Sequence, residues 1–205
     1  MSIELLDTSP IIHTSNSLVI TYPKQAHITF GNYPYPDQIE NLKIEIKNNL
    51  KEDMEQATYV RGKMTDWDYF INNPLTTKFL NYCINEHQLT NQVLFRYFYD
   101  RQVVLNMWGN ELSKGNRIDQ HQHPFFHGIL YLTKGNPLML PQLGIKITPK
   151  PGDYYFFPPG IEHHMDEVTD DTKRYSIVMN IVPNTSKERW EKNKRLRDKY
   201  NDVTW

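Results

Sequence analysis

Gly115-Asn-Arg-Ile-Asp119-Gln-His121-Gln-His123-Pro-Phe-Phe-His127-Gly-Ile-Leu-Tyr131-Leu132, followed by Pro151-Gly-Asp153-Tyr-Tyr-Phe-Phe157-Pro-Pro-Gly160-Ile-Glu-His163, decides how this chain folds. In an extended strand residues i and i+2 share a face, so His121 and His123 converge on one point while Gln122 turns away. His163 can meet them from a distant strand. Two neighbouring imidazoles and one from afar are how a β-barrel builds an open three-ligand metal site, with positions left for substrate, cosubstrate or oxygen. Gly115 stands six positions before His121, where a turn delivers the strand. Pro151-Gly-Asp153 makes a tight turn, residues 154–157 form a buried strand, and Pro158-Pro-Gly160 bends the chain so that His163 re-enters the barrel. A single HxH is equally well explained as two half-buried histidines on a hairpin; the company of the second stretch favours metal.

Short β-runs surround these blocks, at 93–99, 103–108, 127–132, 144–148, 153–157 and 174–182, separated by Gly, Pro or Asn. None is followed by a helix long enough for a parallel crossover, which predicts a mainly-β sandwich or barrel with flanking helices. Upstream, β-type runs at 17–21 and 27–30 precede the break Tyr33-Pro-Tyr-Pro36. Asp37 then caps an expected helix over 38–51, with Ile39, Leu42, Ile46 and Leu50 at helical spacing. A second helix is expected over 74–86, with Pro74 in its first turn and Leu75, Phe79, Leu80, Cys83 and Ile84 as its apolar stripe. Thr185-Ser-Lys-Glu188 reads as a capping box opening a charged C-terminal helix that packs through Trp190, Leu196 and Tyr200. The organisation expected is an N-terminal α/β extension over 1–90 packing on the barrel, a core over 91–183 and a C-terminal helix over 184–205.

Composition narrows the function classes. Lys and Arg total 23 against 24 Asp and Glu in 205 residues, so there is no general electrostatic grip on nucleic acid or an anionic membrane. No long apolar run or signal-peptide core is visible. The lone Cys83 fits a reducing, cytoplasmic setting and, within an apolar helical stripe, reads as a core thiol rather than a nucleophile. A homodimer stays open. The segment 59–67, Tyr-Val-Arg-Gly-Lys-Met-Thr-Asp-Trp, reads as a surface loop, or as a lid whose Arg61 and Lys63 meet an acidic or phosphorylated substrate.

A third block, Arg174-Tyr-Ser176-Ile-Val-Met-Asn180, completes two resemblances. Gly115-x5-His121-x-His123 and Gly152-x5-Pro158-x-Gly160-x2-His163 resemble the two cupin signatures, except that His127 stands near the place of their Glu ligand and Glu167 near that of their second-motif Asn. The closer resemblance is to the 2-oxoglutarate/Fe(II)-dependent oxygenases common in marine phages and bacteria. It rests on Trp108-Gly-Asn110, Gly115, His121-Gln-His123-Pro124, His127-Gly-Ile-Leu-Tyr131-Leu132, Pro151-Gly-Asp153, Phe157-Pro158 through His163, and Arg174-Tyr-Ser176. Both groups share the double-stranded β-helix (jelly-roll) barrel, which the resemblance implies here.

The same resemblance implies Fe(II) on His121, His123 and His163, with O2 and 2-oxoglutarate as cosubstrates and no catalytic residue beyond the metal site. Decarboxylation of 2-oxoglutarate to succinate would then be coupled to hydroxylation of a substrate that the sequence does not name: a peptidyl side chain, a nucleobase or a small metabolite. It assigns Arg174 to the far carboxylate of 2-oxoglutarate, a role suited to a guanidinium that forks bidentately onto carboxylates. Ser176, on the same strand face, adds a hydrogen bond, and Tyr131 and Asn110 are further cosubstrate contacts. Such enzymes usually carry Asp or Glu where His123 stands. Asp119 and His127 share its strand parity and are alternative ligands or neighbours of the site, whereas His164 points away. Two other classes remain: a cupin-type metalloenzyme acting without 2-oxoglutarate, as a small-molecule dioxygenase or isomerase, and a non-catalytic metal- or ligand-binding cupin.

Overall fold

The computed structural model describes residues 2–5, 11–14, 17–20, 26–51, 59–88 and 102–183. In chain order the strands before the histidine-bearing blocks are β1 (Ser2–Leu5), β2 (Ile11–Thr14), β3 (Ser17–Ile20), β4 (Ala26–Asn32), β5 (Val60–Arg61) and β6 (Lys63–Met64), with helices α1 (Pro36–Asn48) and α2 (Pro74–Gln88) among them. Then follow β7 (Gln102–Leu112), β8 (Arg117–His121), β9 (Phe126–Tyr131), β10 (Leu138–Leu140), β11 (Ile145–Thr148), β12 (Asp153–Phe157), β13 (His163–Met165) and β14 (Arg174–Pro183). They form a six-stranded sheet, β1-β11-β10-β13-β8-β5, and an eight-stranded sheet, β2-β3-β4-β12-β9-β14-β7-β6, with every pairing antiparallel. This is the double-stranded β-helix expected. Strands from both sides of residue 90 pair within each sheet.

Strand alternation sorts the eight-stranded sheet into two faces. Inward go Trp108, Ile129, Tyr155, Phe157 and Val178, which share one core with Leu140 and Ile145 of the opposite sheet. Outward go Met107, Leu130, Tyr154, Ile177 and Met179, which meet the helices. Ile39, Leu42 and Ile46 of α1 are the buried positions of that helix, at the spacing its sequence showed. Each such side chain contributes on the order of 1.5–3 kcal/mol by leaving water. Gly109 of β7 makes this packing possible: a Cβ there would lie 2.4 Å from Ile46 Cγ1. Cys83 is buried in the same outer core, where burial pushes its thiol pKa up.

α1 begins two residues earlier than the expected start at 38, because Pro36, with its fixed φ, takes the first helical turn. Its N-cap is Tyr35, with no side-chain cap, and Asp37 is instead an acidic residue of the first turn facing the helix dipole. The expected run at 93–99 and the C-terminal helix lie outside the described residues. No helix among the described residues is long and apolar enough to cross a membrane.

Candidate metal centre

The two sequence blocks meet across the six-stranded sheet. β13 pairs with β8 so that His163 lies directly opposite His121. His123 lies just past the end of β8 rather than on the strand, as the i, i+2 argument had it. It is held there by Gly160, whose N–H donates to the His123 carbonyl at 2.9 Å. Gly160 has φ 79°, a conformation that suits glycine, so the Pro-Pro-Gly turn both returns the chain and pins the HxH segment. Gly115 (φ 84°) and Gly152 (φ 87°) make the other two turns in the same way.

Among the described residues, His121, His123 and His163 form one group whose ligand atoms all lie within 4.8 Å of one another. Nδ1 of His121 is 2.9 Å from the Asp119 carbonyl, and Nδ1 of His163 is 3.0 Å from the Ile161 carbonyl. A carbonyl only accepts, so both Nδ1 atoms carry the proton and both Nε2 lone pairs turn toward the shared centre. Nε2 of His121 and Nε2 of His123 are 3.1 Å apart, the spacing of adjacent ligands on one cation. Burial is the main cause that lowers each pKa. His123 is pushed down to about 4, with the neighbouring His121 adding to burial and Asn180 opposing it. His163 falls to about 3, again by burial first and His121 next, against the Ile161 carbonyl. His121 is lowered by burial too. All three are therefore neutral near pH 7, the state a metal needs.

His127 sits beside the group. Its ring centroid is 4.5 Å from that of His123 and 4.7 Å from that of His163, and it stacks on Phe157 at 4.9 Å. It is fully buried and neither ring nitrogen makes a well-formed hydrogen bond, although the Phe125 backbone lies near enough to favour its charged form slightly. Burial, then His163 and His123, hold its pKa well below the usual value. Asp119 is turned elsewhere: its two oxygens accept from Arg61 Nε and Arg117 Nε, both at 2.8 Å, and those bonds lower its pKa. Its link to the centre is through its backbone carbonyl. The same ion pair occupies Arg61 of the 59–67 segment. His164 faces Asp166 at 3.7 Å, on the other side of β13 from His163.

The barrel interior beside the histidines is polar in a way that register explains. Ser176 on β14 is paired with Asn110 on β7 and Tyr131 on β9, so the three lie in one row across the sheet. The next row is Trp108, Val178, Ile129 and Tyr155, and the next is Asn106, Asn180, His127 and Phe157. Along these rows Trp108 Nε1, both amide atoms of Asn110 and the Tyr131 and Tyr155 hydroxyls are buried without hydrogen-bond partners, and Asn180 Oδ1 makes no well-formed bond although His123 lies near it. Arg174, at the head of β14, is on the same face by parity, and its Nε is also buried and unpartnered. Sequence reasoning had named Asn110, Tyr131, Ser176 and Arg174; it missed Asn180 and the Tyr155 hydroxyl, which look like ordinary strand residues. The two ends of the 59–67 segment, read from the sequence as a surface loop or a lid, lie at the rim of the site: the exposed Tyr59 stacks on His121 at 4.7 Å and Trp67 packs edge-on against Trp108 at 4.6 Å.

No family model matches the chain, and no curated relative matches it. Solved structures do. A viral collagen prolyl hydroxylase from Paramecium bursaria Chlorella virus-1, in complex with 2-oxoglutarate, superposes with TM-score 0.58 at 12% identity, covering 75% of this chain and 94% of that one. HygX from Streptomyces hygroscopicus, with nickel and 2-oxoglutarate bound, gives 0.56 at 8% identity over 76% and 82% of the two chains. A Burkholderia pseudomallei oxidoreductase of the 2OG-Fe(II) oxygenase family gives 0.50 at 12% identity over 75% and 83%. By architecture and by the histidine cluster on its inner face, this chain has the double-stranded β-helix fold of the 2-oxoglutarate- and Fe(II)-dependent oxygenases.

Proposed function

We propose that the chain is a 2-oxoglutarate- and Fe(II)-dependent oxygenase that hydroxylates its substrate, with His121, His123 and His163 as the metal ligands. The observation that carries this reading is the row of orphaned polar groups beside the three imidazoles. A buried donor or acceptor without a partner costs on the order of 1–3 kcal/mol. Trp108, Asn110, Tyr131, Tyr155 and Arg174 all hold such atoms on one inner surface, as a binding site for a small polar anion would. Bound here, ferrous iron with 2-oxoglutarate supplies the activation of O2 that is coupled to loss of carbon dioxide and formation of succinate.

The chain's own residues bind, orient and exclude water. The Asp119 and Ile161 carbonyls hold the protons of His121 and His163 on Nδ1, which keeps both Nε2 atoms available. Arg174 Nε, with Ser176, Asn110 and Tyr131 in the next row of the sheet, would take the distal carboxylate of the cosubstrate. The buried rings of Trp108, Tyr155, Phe157 and His127 wall this space from solvent and strengthen the polar contacts inside it. His127 stands within reach as a fourth imidazole or as a neighbour that positions what binds.

Anaerobic Fe(II) titration with and without 2-oxoglutarate tests the proposal through the weak visible metal-to-ligand charge-transfer band. The band forms with wild type and is lost in Arg174→Ala at the same cosubstrate concentration, with succinate released on exposure to oxygen. A band that never forms, or one indifferent to Arg174→Ala, rejects it. The all-imidazole donor set favours one second reading, a cupin-type dioxygenase that does not use 2-oxoglutarate. In that case iron binds and the band is absent.

A further inference from the structure

Arg174 divides its guanidinium between two environments. Nη1 donates to the Thr172 carbonyl at 2.8 Å and Nη2 to Asp170 Oδ2 at 2.7 Å, whereas Nε is buried with no partner. The Arg174 side chain is 11% exposed and that of Asp170 58%, so the pair straddles the wall of the barrel with the carboxylate on the solvent side. The other oxygen of Asp170 accepts the Thr172 N–H at 2.8 Å. Residues 170–172 therefore close an Asx turn. One small frame thus presents both acceptors, the carboxylate oxygen and the Thr172 carbonyl, to the two terminal nitrogens of Arg174.

A guanidinium is planar, and its five N–H groups point in fixed directions. Once both terminal nitrogens are held from outside, the Nε side has one direction left. By strand parity Arg174 belongs to the inner face of β14, which also carries Ser176, in register with Asn110 and Tyr131, and its buried Nε is the edge of the guanidinium left unengaged. An ion pair this exposed adds little stability. Its consequence is orientation.

We propose that Asp170 is the positioning residue of the carboxylate clamp, holding Arg174 so that its Nε side meets the distal carboxylate of an incoming 2-oxo dicarboxylic acid. The inference rests on the cosubstrate site proposed above and adds to it a residue outside the binding surface. Pre-orienting one long side chain removes an ordering cost at the moment of binding, an effect of about three- to tenfold in affinity.

Asp170→Asn isolates the effect. Its Oδ1 still accepts the Thr172 N–H, but an amide nitrogen replaces Oδ2 and cannot accept from Arg174. Isothermal titration of the Co(II)-loaded protein compares two ligands, 2-oxoglutarate and 2-oxobutyrate, a 2-oxo acid without a distal carboxylate. Asp170→Asn weakens 2-oxoglutarate about three- to tenfold and leaves 2-oxobutyrate, Co(II) affinity and melting temperature unchanged. Asp170→Ala, which also opens the turn, shows the same selectivity. Unchanged 2-oxoglutarate affinity in both variants overturns the proposal. So does tighter binding, which would make Asp170 a competitor for the guanidinium. Arg174→Gln separates this from the larger reading. If it lowers 2-oxoglutarate affinity alone, the clamp stands and the Asp170 variants decide. If it alters neither ligand, the clamp itself is rejected and the role of Asp170 with it.

Discussion

Lowering the pH is the most direct test of how the three histidines are held. An imidazole with the ordinary pKa of about 6.5 is only one-eleventh neutral at about pH 5.5, so three of them would cost a metal roughly a thousandfold in affinity there. In this barrel burial pushes His123 down to about 4 and His163 to about 3, with His121 also lowered. The first two remain almost fully neutral at about pH 5.5, and only His121 can contribute, by at most about tenfold. The expected result is a Co(II) dissociation constant that changes by no more than about tenfold between about pH 7.5 and 5.5, measured by isothermal titration calorimetry with correction for buffer protons. A thousandfold loss would refute the claim that burial sets these groups.

The same depression has a price for the apoprotein. A histidine whose folded pKa lies below its unfolded value leaves the unfolded chain binding more protons, so stability is full above about pH 6.5 and falls as pH is lowered toward the folded pKa. His123 and His163 each contribute about 1 kcal/mol of loss at about pH 5.5, and the buried His127 and His121 add to it in the same direction. The melting temperature of the metal-free protein therefore drops over this range. Bound metal raises the stability at every pH but leaves this pH dependence nearly unchanged, because neither the free nor the loaded site takes up protons over this range. A metal-free protein whose stability does not fall between about pH 7.5 and 5.5 would contradict the buried, neutral state of these histidines.

Further outcomes are specific to single positions. His163→Ala reduces Co(II) affinity by more than about a hundredfold, the upper end of what loss of a ligand's supporting hydrogen bond costs, and calorimetry reads it directly. Gly109→Ala forces a Cβ to within 2.4 Å of Ile46 Cγ1; overpacking of this kind costs about 1–3 kcal/mol, seen as a lower urea midpoint with an unchanged slope. Phe157→Ala removes a fully buried ring from the inner core and from the face of His127, with a loss of about 3–5 kcal/mol in chemical denaturation.

Much of the site was legible because its signals are local. His163 after Pro-Pro-Gly is marked by turn residues at fixed offsets, and Gly160 does make that turn. Arg174 and Ser176 share a face by strand parity, which needs no tertiary information. The expectation for α1 missed by two residues because proline at the first helical turn and aspartate at the cap are both good starts, and the Pro36 position prevailed. Parity could not choose between Asp119 and His127. That choice is long-range, since Arg61 and Arg117 draw the Asp119 carboxylate away while the β9 register brings His127 against His123. Asp170 gave no signal at all, since an acidic residue in a polar loop is the commonest thing a loop contains.

The sequence by itself therefore determined the strand-rich architecture, the turns and the identities of three converging imidazoles, because periodicity and turn chemistry act over a few neighbouring residues. Only the tertiary structure decided which groups are left without partners inside the barrel. A hydrogen bond is satisfied or orphaned by what lies across the sheet, and the registers of β7, β9 and β14, set by pairing between residues as far apart as Asn106 and Asn180, 74 positions along the chain, line Asn110, Tyr131, Asn180 and Arg174 along one surface.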